Sequence, residues 1–170
     1  DGHHRVAAAT QARFDQLFVA YVPPEDLRID SFDRIVDELS LMPRKVIEIL
    51  SPWCDVADEP GPAVAPAPGS ILLQLDGHRL LAHRHEPDGF DTKFVHDVIL
   101  PEVFGITQVS DPRLTYRPSL AGHGNEPVVI TTAPVDLEQV LDVADAGAHM
   151  PPKTTYFVPK ARSGLVLVPC

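Results

Sequence analysis

The sequence is short of cations, thiols and aromatic rings, and each shortage excludes something. Fourteen Lys and Arg stand against 24 Asp and Glu in 170 residues, a formal net charge of −10. A surface that acidic repels phosphate backbones and anionic headgroups, so neither duplex nucleic acid nor a membrane is expected as partner. The two cysteines, Cys54 and Cys170, lack the spacing of a zinc knuckle. Two thiols fit a reduced, cytoplasmic protein, although a single disulfide between them stays open. One Trp, three Tyr and seven Phe are scattered and make no stacking platform for single-stranded nucleic acid. No run approaches the ~20 apolar residues of a membrane span. A Walker loop, a nucleophile elbow and a Rossmann fingerprint are all missing.

What is present is an ordinary globular composition, 44% hydrophobic and 22% charged, at a length that supports one real core. Proline is the exception. Eighteen prolines are about twice the usual ~5% and favour short elements joined by loops. The stretch 57–69 (ADEPGPAVAPAPG) holds four prolines and two glycines and reads as an internal loop of a single α+β domain or domain fragment over 1–170.

Local patterns place the elements. Ala-rich Arg5–Arg13 reads as a helix opening just after Gly2. Leu17–Val22 reads as a buried strand stopped by Pro23 and Pro24. Leu27–Ile29 reads as a short strand, and Phe32, Ile35 and Val36 as a helical turn after it. Pro43 suits the first turn of a helix ending at Leu50. Ile71–Leu75 and Leu80–His83 flank Asp76-Gly77, a strong hairpin signal. Asp91 or Thr92 can cap a helix that turns Phe94, Val95, Val98 and Ile99 to one side. Val128–Thr132 is a strand, and Asp136 caps a helix closed by Gly147. Thr154–Val158 and Leu165–Val168 are late strands. Hairpins mixed with single helices predict an α+β fold with a mixed, largely antiparallel sheet and a few packed helices. The chain opens inside a motif, so it is expected to be the C-terminal part of a larger protein.

Two segments carry candidate chemistry. In Asp1-Gly2-His3-His4-Arg5, the glycine allows close backbone approach, and the following helix start offers free N–H groups and a positive dipole end. Arg5 adds a planar fork suited to phosphate, and His3 and His4 can move protons near neutral pH. At the other end, 149–170 contains Lys153, Lys160 and Arg162 and no acid at all, so every one of the 24 carboxylates precedes it. With Thr154, Thr155, Tyr156 and Ser163 interleaved, that stretch suits a small anion. The two ends are expected to build a common cationic cradle. Asp76-Gly77-His78-Arg79 imitates the opening motif, but its alternating flanks make it a turn. His83, His85 and His96 could supply a metal set for a hydrolase, although no second short-spaced pair accompanies them.

The segments DGHHRVAAA, FVAYVPPEDLRIDSFDRIVDEL, DTKFVHDVILPEVFGI, DVADAGAHMPPKTTYFVPK and RSGLVLVPC resemble, in that order, the second half of the domain-of-unknown-function 1015 family. That resemblance implies a partner half upstream. DGHHR also resembles the box of the ParB/sulfiredoxin-like superfamily, one branch of which comprises free-serine kinases. The likeness implies that Gly2, His3, His4 and Arg5 contact phosphate; the acid-free tail adds Lys153, Thr154, Thr155, Lys160 and Arg162 to the expected phosphate or nucleotide site. It also implies that Asp1 holds Mg²⁺ or the acceptor hydroxyl, with His3 and His4 assisting proton movement and ATP or ADP as cofactor. The kinases' general-base glutamate lies upstream of the box, outside this chain. The expected function is therefore a small-molecule kinase or related phosphotransferase taking a nucleotide or other small anion. A non-catalytic nucleotide-sensing module is the alternative, and a metal-dependent hydrolase the third reading. A homo-oligomer is compatible with all three.

Overall fold

The computed structural model describes residues 3–14, 19, 22–38, 41–61, 64–119 and 126–160. By its contacts the chain divides into two compact units, one made of Asp1–Arg28 with Phe157–Cys170 and the other of Ile29–Tyr156. The first unit holds helix α1 (His3–Gln11) and a single 3-10 turn at Pro24–Asp26. Helix α1 starts where the alanine run predicts, and its first turn carries no acid to offset the dipole. The expected strands at Leu17–Val22 and Leu165–Val168 fall largely or wholly outside the described residues.

Strands β1 (Arg28–Asp30) and β8 (Tyr156–Val158) lie where the two units meet along the chain. The second unit is an α+β body whose sheet is antiparallel throughout. Strands β2 (Phe32–Val36), β3 (Cys54–Asp58), β4 (Ser70–Leu75), β5 (His78–Arg84), β6 (Leu114–Pro118) and β7 (Val128–Thr132) form one sheet in the order β3-β5-β4-β7-β2-β6. The β4–β5 hairpin turns at Asp76 (φ 44°) and Gly77 (φ 83°). Two consecutive left-handed residues match the twist of the flanking strands, so Asp-Gly is the pair the turn needs.

Helices α2 (Pro43–Leu50), α3 (Asp91–Phe94) and α4 (Leu100–Phe104) cover one face. Val46 and Leu50 pack there with Val95, Ile99, Leu100 and Val103 on Val36, Ile71, Leu73, Leu80, Val128 and Ile130, all nearly fully buried. Pro43 opens α2 as expected. Between α3 and α4 the rod runs on through a π-helical stretch, Val95–Ile99, with right-handed helical backbone at every junction. Pro101 supplies the cause. It lacks the N–H that would bond the carbonyl four residues back, and its ring crowds that carbonyl, so the register widens ahead of it.

Two local expectations need correction. Phe32–Val36 is strand, not a helical turn. The strand is covered on both faces, and two charged residues, Asp33 and Arg34, stand among its buried positions where a wholly apolar run would have disclosed it. Neither Asp91 nor Thr92 caps the long helix, since its N-cap is Phe90 with no side-chain bond. Asp91 is taken by a buried ion pair with Arg84 (2.8 Å) and by the Gly69 N–H (2.9 Å). The loop over 57–69 yields its first two residues to β3. Helix α5 (Leu137–Asp145) closes the unit as expected, with a full capping box between Asp136 and Gln139.

Candidate functional site

Lys153 is the one candidate cation whose surroundings are described in full. Its backbone is left-handed (φ 57°), a conformation that is uncommon for a residue with a β-carbon. Its ammonium lies 5.1 Å from the Phe32 ring centroid and 5.7 Å from that of Tyr116, within cation–π range of both. Next to it Thr154 is 2% exposed. The Thr154 hydroxyl donates to the Pro151 carbonyl (2.6 Å) and shares a hydrogen bond of 2.9 Å with the Thr92 hydroxyl on α3.

Beneath Lys153 sits Arg34, with no exposed surface. Its Nη2 donates to the Lys153 carbonyl at 3.0 Å and its Nη1 to the Phe32 carbonyl at 2.5 Å. Arg34 stands opposite Tyr116 in the β2–β6 register, and its guanidinium carbon lies 5.9 Å from that ring centroid. Burial lowers the Arg34 guanidinium to about 10, while Tyr116 and Asp33 pull the other way, so it stays charged at neutral pH.

The π-helical stretch brings His96 to the same place. Its ring stacks on Tyr116 with centroids 6.3 Å apart. Burial, helped by the Arg34 charge and opposed by Asp97, brings His96 down to about 4, leaving a neutral imidazole. Burial also raises the Tyr116 phenol, partly offset by Arg34. Arg34 Nε, His96 Nε2 and the Tyr116 hydroxyl are all buried without a hydrogen-bond partner among the described residues. Three such atoms lie on two neighbouring strands and the facing helix, gathered around Tyr116 and next to the buried Arg34 cation.

Of the remaining expected site residues, Thr155 is half-buried and Lys160 exposed. Asp1, Gly2 and Arg162 lie outside the described residues, as do the side chains of His3, His4 and Arg5, whose backbone opens α1. The histidine trio does not assemble as a metal set. His83 Nδ1 bonds the Ser70 hydroxyl (2.8 Å), His85 reaches Asp55 (3.3 Å), and His96 stacks on Tyr116. Among the described residues no three His, Cys, Asp or Glu side chains could share a metal ion, Mg²⁺ included. Cys54 is a free, buried thiol that burial pushes up to about 11. No helix among the described residues is long and apolar enough to cross a membrane.

Arg34, Tyr116 and Phe32 carried no sequence signal that marked them for this site. An arginine at a buried strand position is the available clue, and it is hidden because the local pattern of Phe32, Ile35 and Val36 reads as a helical turn.

This architecture is one that several solved structures share. The chain superposes on C-terminally truncated SbnI from Staphylococcus aureus with a TM-score of 0.57 at 14% identity, covering 96% of this chain and 62% of that one. It matches a free serine kinase variant in complex with ADP with a TM-score of 0.56 at 17% identity, covering 93% and 66%. A conserved hypothetical protein from Pyrococcus furiosus gives 0.57 at 18% identity, covering 93% and 68%. The chain thus spans about two thirds of the length of these structures, and at such identities the likeness is one of fold. No protein-family model matches the chain, and no curated protein matches it in sequence.

Proposed function

We propose that this chain belongs to a cytoplasmic, nucleotide-dependent phosphotransferase acting on a small molecule, of the free-serine-kinase type and of the 1015 family. The observation that carries the reading is Lys153. A left-handed backbone is a costly place for a side chain, the two ring contacts of the ammonium offset part of that cost, and an anion bound to the ammonium would add to them. The fold shared with a kinase in complex with ADP supports a nucleotide phosphate as that anion. Among the described residues none gives Mg²⁺ a site, so the roles below are those of the protein's own side chains.

In the proposed reaction the terminal phosphoryl group passes from the nucleotide to a hydroxyl oxygen of the acceptor. The phosphorus–oxygen bond to the nucleotide breaks as the new one forms. Lys153, with Lys160, Arg162 and Arg5, neutralises the charge on the transferring group, which is the main source of rate in such chemistry. Thr155 supplies a hydroxyl donor to phosphate oxygens, while Thr154, whose own hydroxyl proton goes to the Pro151 carbonyl, contributes through its backbone N–H. Gly2, with the first amides of α1, offers backbone donors. His3 and His4 relay the acceptor's proton, and Asp1 orients the hydroxyl.

Calorimetry on the full-length protein tests this directly. ATP or ADP should bind, and Arg5→Ala and Lys153→Ala should each weaken binding by about tenfold, the loss of one charge-assisted contact. Incubation with nucleotide and L-serine should then yield phosphoserine. Binding without product would place the protein among nucleotide sensors. Unchanged affinity in both variants would overturn the assignment.

A further inference from the structure

Arg34 is an odd residue to find inside a sheet. It is wholly buried, and its hydrogen bonds go to main-chain carbonyls of Phe32 and Lys153, while Nε has no partner among the described residues. A guanidinium removed from water is held at considerable cost, and an apolar side chain of similar length would fill the space without it. What an apolar chain could not do is grip the Lys153 carbonyl, 119 residues away in sequence. That carbonyl belongs to the residue whose backbone is left-handed. Such a conformation persists where surrounding contacts over-determine it, and here the Arg34 bond acts on one side while the buried Thr154–Thr92 contact acts on the other.

We propose that Arg34 is a positioning residue: it fixes the backbone of Lys153 so that the ammonium stays over Phe32 and Tyr116, presented to a nucleotide phosphate. The phosphate half of this statement rests on the function proposed above; the positioning half does not. Loss of the Arg34 bond frees the backbone to relax into the ordinary helical or extended regions, and the end of a lysine side chain then leaves the rings.

Nuclear magnetic resonance on the full-length protein reads the position without any ligand. The ε-methylene protons of Lys153 lie against two aromatic faces and should be shifted upfield. Arg34→Met should abolish that shift and Arg34→Lys should restore part of it. Asp136→Ala, which removes the capping box of α5 and none of the contacts described for Lys153, should leave it intact, separating positioning from general destabilisation. Calorimetry with ADP supplies the second arm. Arg34→Met should cost about as much affinity as Lys153→Ala, roughly tenfold, and the double variant no more than either alone. An unchanged lysine signal in Arg34→Met, or losses that simply multiply, overturns the proposal. If the wild type binds no nucleotide while the lysine signal still follows Arg34, the functional reading fails and the positioning stands. Should neither Arg34 variant fold, the wild type decides. Slowly exchanging Nη2 protons on a guanidinium that does not rotate support the contact, and a freely rotating group refutes it.

Discussion

The left-handed backbone of Lys153 makes a prediction about two substitutions that differ by one methyl group. Lys153→Ala and Lys153→Gly both remove the ammonium and its two ring contacts, so those losses cancel in the comparison. What remains is the backbone. At φ 57° a β-carbon costs about 1–2 kcal/mol that glycine does not pay. Glycine in turn gives up about 0.5–1 kcal/mol through its freer unfolded chain. The difference leaves Lys153→Gly the more stable of the two by about 0.5–1 kcal/mol. For a chain of this size that is about 1–4 °C in melting temperature, within reach of scanning calorimetry on matched samples. Affinity for ADP should fall equally in both, since both lack the ammonium. An alanine variant as stable as the glycine variant, or more so, would refute the left-handed conformation and with it the argument that the lysine is kept there for its charge.

Two further outcomes follow from local geometry. Asp136→Ala deletes one half of the capping box on α5 and should cost about 1 kcal/mol in denaturant unfolding, with Asp136→Asn losing much less. His96 has a folded pKa of about 4 against 6.5 unfolded, so the unfolded chain takes up the proton first. Its contribution is complete above pH 6.5 and declines as the pH falls towards 4. Unfolding measured across that window should show a slope that His96→Gln flattens, and an unaltered slope would contradict the neutral imidazole.

Much of the fold is legible in the chain because several elements carry their own punctuation. Asp76-Gly77 fixes the β4–β5 turn, Pro43 starts α2, and Asp136 with Gln139 starts α5. Each is a short-range signal that tertiary structure had no reason to override. The errors fall where a polar residue takes a core position or where long-range pairing decides. Phe32–Val36 is buried on both faces, and the charges of Asp33 and Arg34 disguise it. Leu114–Pro118 becomes a strand through pairing with β2, a partner some eighty residues upstream. Asp91 has the chemistry of a helix cap and is spent instead on Arg84 and Gly69. The site divides in the same way. Lys153 and Thr154 could be picked out from an acid-free tail, whereas Arg34, Tyr116 and His96 join them only through the sheet register and a helix with a widened turn.

That widened turn has a consequence for how this stretch of gene can vary. It amounts to one surplus residue spliced into an otherwise ordinary rod. With Ile99, Leu100 and Val103 locked in the interior, deleting a single codon ahead of them would swing everything upstream about 100° around the axis. Thr92 would swing off Thr154 and His96 off Tyr116 together. Between Asp91 and Pro101, then, the count of residues is under tighter restraint than their identity, and drift in this segment should proceed by replacement, not by gain or loss of positions.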